Sequence, residues 1–62
     1  MRHLTARQEK ILDLLKENKN VKVDDLSIDF KVSEQSIRKD LNEICGRGLA
    51  ARIHGGARLI NA

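Results

Sequence analysis

Four side chains in the second half of the chain share one chemistry: Gln35, Arg38, Lys39 and Asn42 can all donate hydrogen bonds. On a helix of 3.6 residues per turn they fall on one side, opposite Ile37, Leu41 and Ile44. Arginine can bind guanine O6 and N7 through two N–H groups, and glutamine or asparagine can bind adenine N6 and N7. Lys39 suits either a base edge or a phosphate. Ser33, Ser36 and the first amides of such a helix can hold a phosphate, because a helix N-terminus presents free N–H groups and a partial positive charge. Further on, Arg52-Ile53-His54-Gly55-Gly56-Ala57 has the form of a tight basic hairpin, with Arg58 just after it. Arg52 and Arg58 suit phosphates. His54 at the tip suits a phosphate or the minor groove, with a surface histidine of no role as the competing reading. Gly55 and Gly56 supply turn geometry, and close approach to a sugar-phosphate backbone as a second use. A groove-entering helix followed by a backbone-gripping hairpin is chemistry for double-stranded DNA. A merely solvated helix face is the bland alternative. A face of four donors and no acid is unusual in a chain with nine acidic residues.

The charge is placed accordingly. The net charge is +3. Residues 1–30 balance Arg2, Arg7, Lys10, Lys16, Lys19 and Lys22 against Glu9, Asp13, Glu17, Asp24, Asp25 and Asp29. Residues 31–62 set Lys31, Arg38, Lys39, Arg47, Arg52 and Arg58 against only Glu34, Asp40 and Glu43. The excess lies in the half that holds both signatures, the footprint of a polyanion-binding face. Glu34 opens the helix and favours its dipole. Asp40 lies between the two faces and is expected to orient an arginine, Arg7 or Arg52, and not to touch DNA.

Other chemistries lack their residues. No paired carboxylates, no nucleophile beside a base and no phosphate-binding glycine loop point to an enzyme. The single cysteine, Cys45, has no partner for an internal disulfide, and no Cys/His cluster has metal-ligand spacing. No metal or cofactor is expected. No apolar run approaches a signal sequence or membrane span, so no membrane partner and a cytoplasmic location are expected.

Sixty-two residues, 40% hydrophobic and without proline, allow one small domain that is mainly helical. It buries only about 60% of its unfolded surface. Thr5-Ala6-Arg7-Gln8 fits a capping box, and Ile11, Leu12, Leu14 and Leu15 form a stripe, predicting a first helix at about residues 6–17. Val21 and Lys22 suit a very short strand. A second helix at about 23–30 turns Leu26 and Phe30 inward, with Phe30, the one aromatic residue, expected at the core's centre. Lys31-Val32 is the turn. Ser33 caps a third helix at about 34–46, bonding the amide of Gln35 or Ser36. Val32 and Ile37 occupy the positions of a hydrophobic staple. Gly46 and Gly48 stop this helix. Two helices joined by so short a turn form a helix-turn-helix. A wing hairpin at about 50–60 completes a three-helix winged helix-turn-helix. A three-residue loop, His54-Gly55-Gly56, is preferred. It pairs Ile53 with Ala57 and Ala51 with Leu59, leaving Arg52 and Arg58 together on the solvent face.

The sequence resembles the N-terminal DNA-binding domain of DeoR-type bacterial transcriptional regulators. The resemblance rests on Val32-Ser33-x-x-Ser36-Ile37-Arg38-Lys39-Asp40-Leu41, Gly48 and Arg52-Ile53-His54-Gly55-Gly56-Ala57, and extends to Arg7, Ile11 and Leu26. It departs at Ser36 and Lys39, where the family has Thr and Arg. It departs also at Lys22, often a capping serine, which would move the second helix's cap to Asp24. Lys31 stands where glycine is frequent, so a left-handed backbone there would carry strain. Ala50 replaces a larger apolar residue, which would loosen the packing under the wing.

The resemblance implies operator binding as the reading head of a repressor of sugar metabolism genes, associated with the nucleoid when bound. It implies a C-terminal domain, absent here, that binds a sugar-phosphate effector and makes a homo-oligomer. The chain stops just after the wing and is expected to be a domain of such a longer regulator. The competing reading is a winged-helix protein–protein adaptor without DNA binding, which predicts an exposed apolar patch.

Overall fold

A computed structural model describes residues 3–60. The elements run α1 (Ala6–Asn18), β1 (Asn20–Lys22), α2 (Val23–Phe30), α3 (Glu34–Gly46), β2 (Ala50–Ile53) and β3 (Gly56–Leu59). The three strands form one antiparallel sheet in the order β1-β3-β2. This is a winged helix-turn-helix, with each helix close to its expected bounds.

Local chemistry accounts for those bounds. The Thr5 hydroxyl accepts from the Gln8 amide at 3.1 Å, and Gln8 Oε1 accepts from the Thr5 amide at 3.1 Å. That closes the expected capping box on α1. Ser33 Oγ accepts from the Ser36 amide at 3.2 Å, so of the two candidate partners Ser36 holds the cap of α3. The far end of α3 is a Schellman motif: Gly48 N–H donates to Cys45 O at 3.0 Å and Leu49 N–H to Ile44 O at 3.4 Å. Gly48 supplies the left-handed residue this requires, at φ +77°.

The helices bury one stripe each. In α1 the stripe is Gln8, Ile11 and Leu15, and in α3 it is Ile37, Asp40, Leu41 and Ile44. Ile11, Leu15, Ile37, Leu41 and Ile44 are fully buried and form the centre of the core, with Val21, Val23, Leu26, Ala50 and Ala57 around them. Each buried Ile, Leu or Val side chain among them contributes about 1.5–3 kcal/mol relative to exposure. Phe30 is therefore not central. It ends α2 and is only partly buried against this cluster, because branched aliphatic residues from α1 and α3 already fill the middle. Ala50, small as it is, is 2% exposed.

α2 keeps its expected bounds and departs only in its cap. It begins at Val23 with Lys22 as cap and no side-chain cap bond; Asp24 lies inside the helix, its carboxylate accepting from the Asp25 amide. Its end has the same two-bond closure as α3, from Lys31 N–H to Ile28 O and from Val32 N–H to Ser27 O. Here the left-handed position is Lys31, at φ 57° and ψ 44°. A lysine pays a steric penalty that glycine does not. Lys31→Gly is expected to stabilise the fold by about 0.5–1 kcal/mol net of glycine's extra chain entropy. Thermal unfolding followed by circular dichroism should rise by roughly 4 °C; an unchanged or lower midpoint would show the turn to be unstrained.

The wing differs most. Its loop is two residues, His54-Gly55, not three, and the pairs are Ile53↔Gly56, Arg52↔Ala57, Ala51↔Arg58 and Ala50↔Leu59. Positive φ falls on Gly55, the second loop residue, as in a type II turn. One residue of slip exchanges the faces. Arg52 now shares a face with Ala50, Ala57 and Leu59, and Ile53 points outward with Ala51 and Arg58. The register follows from β1, which pairs Asn20, Val21 and Lys22 with Arg58, Ala57 and Gly56. Further bonds extend this hold: Leu59 N–H donates to Lys19 O at 2.7 Å and Val23 N–H to Gly55 O at 2.8 Å. β3 is thus the central strand, held from both sides. Arginine tolerates the inner face because its stem packs while its head reaches solvent.

Candidate nucleic-acid interface

α3 presents the donor face as expected. Gln35, Arg38, Lys39 and Asn42 are all exposed, and Ile37, Leu41 and Ile44 behind them are fully buried. Ser33 is exposed and Ser36 half-buried at the helix start, where Ser33 Oγ also donates to Ser36 Oγ. Arg38 is pre-positioned by Glu34, one turn earlier, at 3.2 Å. Both partners are about half exposed, so this contact adds little stability but favours one side-chain direction. No large apolar side chain is exposed on α3; among the described residues those are Ile28, Ile53 and Ile60.

Asp40 has the role expected of it, with Arg7 as its arginine. Arg7 Nε donates to one carboxylate oxygen and Gln8 Nε2 to the other, the latter at 3.1 Å. Asp40 is 5% exposed and Gln8 8%. Gln8 also closes the α1 capping box, so one connected network joins the start of α1 to the middle of α3. It adds a polar tie to the buried Ile37, Leu41 and Ile44 in holding the rotation of α3, and with it the direction of the donor face. Sequence reasoning missed Gln8 as the second partner; a polar residue inside the apolar stripe of α1 was the available signal.

The wing does not stand apart from α3. Arg52 Nε donates to Gly56 O at 3.1 Å and Arg52 Nη1 to Asn42 Oδ1 at 2.5 Å. Asn42 and Arg52, singled out separately in the sequence, are brought together. Arg58 is exposed on the outer face of the sheet. His54 and Gly55 are exposed at the tip, beside a groove whose other walls are Lys22, Val23, Asp24, Glu34 and Arg38. Lys22 therefore lies beside Arg38 and His54, in a groove that also carries Asp24 and Glu34, which its position in the balanced half of the chain did not reveal. Gly56 is buried, and the backbone it approaches is the chain's own: a Cβ there would lie 2.0 Å from the Val21 carbonyl oxygen. Cys45 lies half-buried behind this surface; burial pushes its thiol above the ordinary value, with the Arg52 charge pulling the other way.

Among the described residues no group of three His, Cys, Asp or Glu side chains is placed to hold a metal, and no helix is long and apolar enough to cross a membrane.

Known proteins agree with the geometry. Residues 7–62 match the DeoR-like helix-turn-helix domain. The chain is 44% identical over 55 residues to the glycerol-3-phosphate regulon repressor of Escherichia coli, covering 89% of this chain and 22% of that protein. It is 43% identical over 56 residues to the L-fucose operon activator of E. coli, covering 90% and 23%. It is 40% identical over 55 residues to the lactose phosphotransferase system repressor of Streptococcus mutans, covering 89% and 22%. The chain thus spans less than a quarter of the length of these relatives. No solved structure matches it. On its fold and the family match over nearly its whole length, the chain belongs to the DeoR-like helix-turn-helix domain family, DNA-binding domains of transcriptional regulators and not enzymes.

Proposed function

We propose that this domain reads a specific operator by laying α3 in the major groove while the wing holds the adjacent backbone. One observation carries the reading. The exposed donors of α3 and Arg52 of the wing form a single surface, joined by the Arg52–Asn42 bond, in front of the fully buried Ile37, Leu41 and Ile44. Arg38 is the base-reading arginine. Gln35, Lys39 and Asn42 add base or phosphate contacts. Ser33 and Ser36 hold a phosphate at the helix start, and Arg52, His54, Gly55 and Arg58 line the backbone beside the wing. Gly56 serves this surface by setting the strand register from a buried position.

The relatives' names refer to glycerol-3-phosphate, fucose and lactose systems. In that light the domain belongs to a cytoplasmic bacterial repressor of sugar-linked genes. Its remaining chain supplies oligomerisation and a sugar-phosphate effector site. Paired domains then meet half-sites about one helical turn or a multiple apart.

Selection from a pool of random duplexes tests this. A single preferred motif is expected, bound with steep salt dependence. Arg38→Ala should relax preference at one base pair by about 1–3 kcal/mol, while Arg58→Ala should weaken all sequences alike and flatten the salt slope. If Arg38→Ala left the selected motif unchanged, the base-reading role would belong to another residue. Salt-insensitive capture of a protein, with no duplex binding, would favour the adaptor reading.

A further inference from the structure

The bond between Arg52 and Asn42 restricts what Asn42 can read. A guanidinium has only N–H groups and no acceptor. The side-chain atom of Asn42 that faces it is therefore the carbonyl oxygen, Oδ1, at 2.5 Å. The same guanidinium is held from behind by the Gly56 carbonyl at 3.1 Å, on a strand pinned by β1. Arg52 is thus oriented before any ligand arrives. Asn42 is left with its NH2 group as the part available on the exposed face of α3.

We infer that Arg52 is a specificity-positioning residue: it holds Asn42 as a donor-only reader that selects guanine over adenine at one operator position. The inference rests on the proposed reading of DNA by α3. An asparagine recognises adenine by accepting from N6–H and donating to N7, which needs both ends of its amide. Oδ1 keeps a second lone pair, but its direction is fixed by Arg52, so the NH2 group and not the oxygen is the part free to turn to a base, and the adenine amino group then meets a second donor. Guanine presents O6 and N7, two acceptors, to the same NH2 group. A wing residue therefore sets the code of a recognition-helix residue without touching the base. The remaining N–H groups of Arg52, including both on Nη2, stay available for a phosphate.

The test is selection of duplexes with the wild-type domain, Arg52→Met and Asn42→Ala. Arg52→Met keeps an unbranched apolar stem and removes every donor. Wild type is expected to prefer guanine over adenine by about fivefold or more at one base pair. Asn42→Ala should erase the preference at that base pair alone. Arg52→Met should weaken binding overall and shift that same base pair towards adenine, leaving the position read by Arg38 unchanged. A purely structural or phosphate role for Arg52 moves affinity without moving one base preference. Retention of guanine by Arg52→Met, or an adenine preference in wild type, overturns the inference while leaving operator reading intact. Failure of wild type to select any motif overturns both. In the free protein, proton–nitrogen spectra give a check that needs no DNA. The Asn42 NH2 resonances should move in Arg52→Met while backbone amides of the core stay in place. Unmoved NH2 resonances would show that the bond does not persist in solution.

Discussion

Gly56→Ala is expected to leave the domain unfolded at room temperature. The added Cβ would lie 2.0 Å from the Val21 carbonyl oxygen and 3.0 Å from its carbon. Both are backbone atoms of the paired strand β1, so no side chain can swing aside. Relief requires parting β1 from β3, and that pairing places the buried residues Val21 and Ala57 opposite one another. Overpacking of this kind costs upwards of about 3 kcal/mol. A single core of this size rarely supplies more than about 3–5 kcal/mol in total. Gly46→Ala is the matched control. Gly46 closes α3 with nothing within 4 Å of the added carbon, and its φ is not positive. That substitution should stabilise the helix by about 0.5–1 kcal/mol. Urea unfolding followed by circular dichroism distinguishes the two. A folded Gly56→Ala domain with a near-native midpoint would mean that β1 is not held against the wing in solution.

Asp40→Ala should cost about 2–3 kcal/mol, more than any exposed acid in the chain. It removes the shared acceptor of Arg7 and Gln8, and leaves the amide of an 8% exposed Gln8 with no partner on that side. Arg7→Ala should cost less, about 1 kcal/mol, because the Arg7 side chain is 37% exposed and its charge is largely solvated. The two losses should not add, since both sever one network. The midpoint of thermal unfolding for Asp40→Ala should fall by roughly 10–20 °C. Strict additivity in the double variant would show that Asp40 and Arg7 act independently. Binding should also fall at temperatures where Asp40→Ala remains folded, because the network helps hold the direction in which the α3 donors face.

What was legible in the sequence was what local chemistry determines. Thr5 with Gln8, Ser33 with Ser36, and Gly48 mark helix ends through contacts a few residues apart. The split of α3 into donors and aliphatics follows from the helical period alone. What escaped depends on segments far apart in the chain. β1 is three residues long, too short for a periodic signal, and its pairing with β3 joins Val21 to Ala57. That pairing, with the missing Cβ of Gly56, selects the hairpin register. From the hairpin's own residues, the register that hid Ile53 and exposed both arginines looked better. The register observed instead turns Arg52 inward onto Asn42. Phe30 misled for a related reason: it is the largest apolar side chain, but it stands at the end of α2, away from the crossing of α1 and α3. The donor residues themselves were legible; the contact that ties Asn42 to Arg52 was not, because it spans the helix and the wing.

On the proposed reading, the outer face of α3 and the wing together form the DNA surface. Proton–nitrogen correlation spectra of the labelled domain, recorded while duplex DNA is added at low and then moderate salt, test it most directly. Amides from Ser33 to Asn42 and from Arg52 to Arg58 are expected to shift together, those of Ile11 and Leu15 to stay in place, and the shifts to fade as salt rises. Still amides in α3 and the wing at low salt, or shifts confined to the acidic side chains' neighbours on α1 and α2, would contradict it.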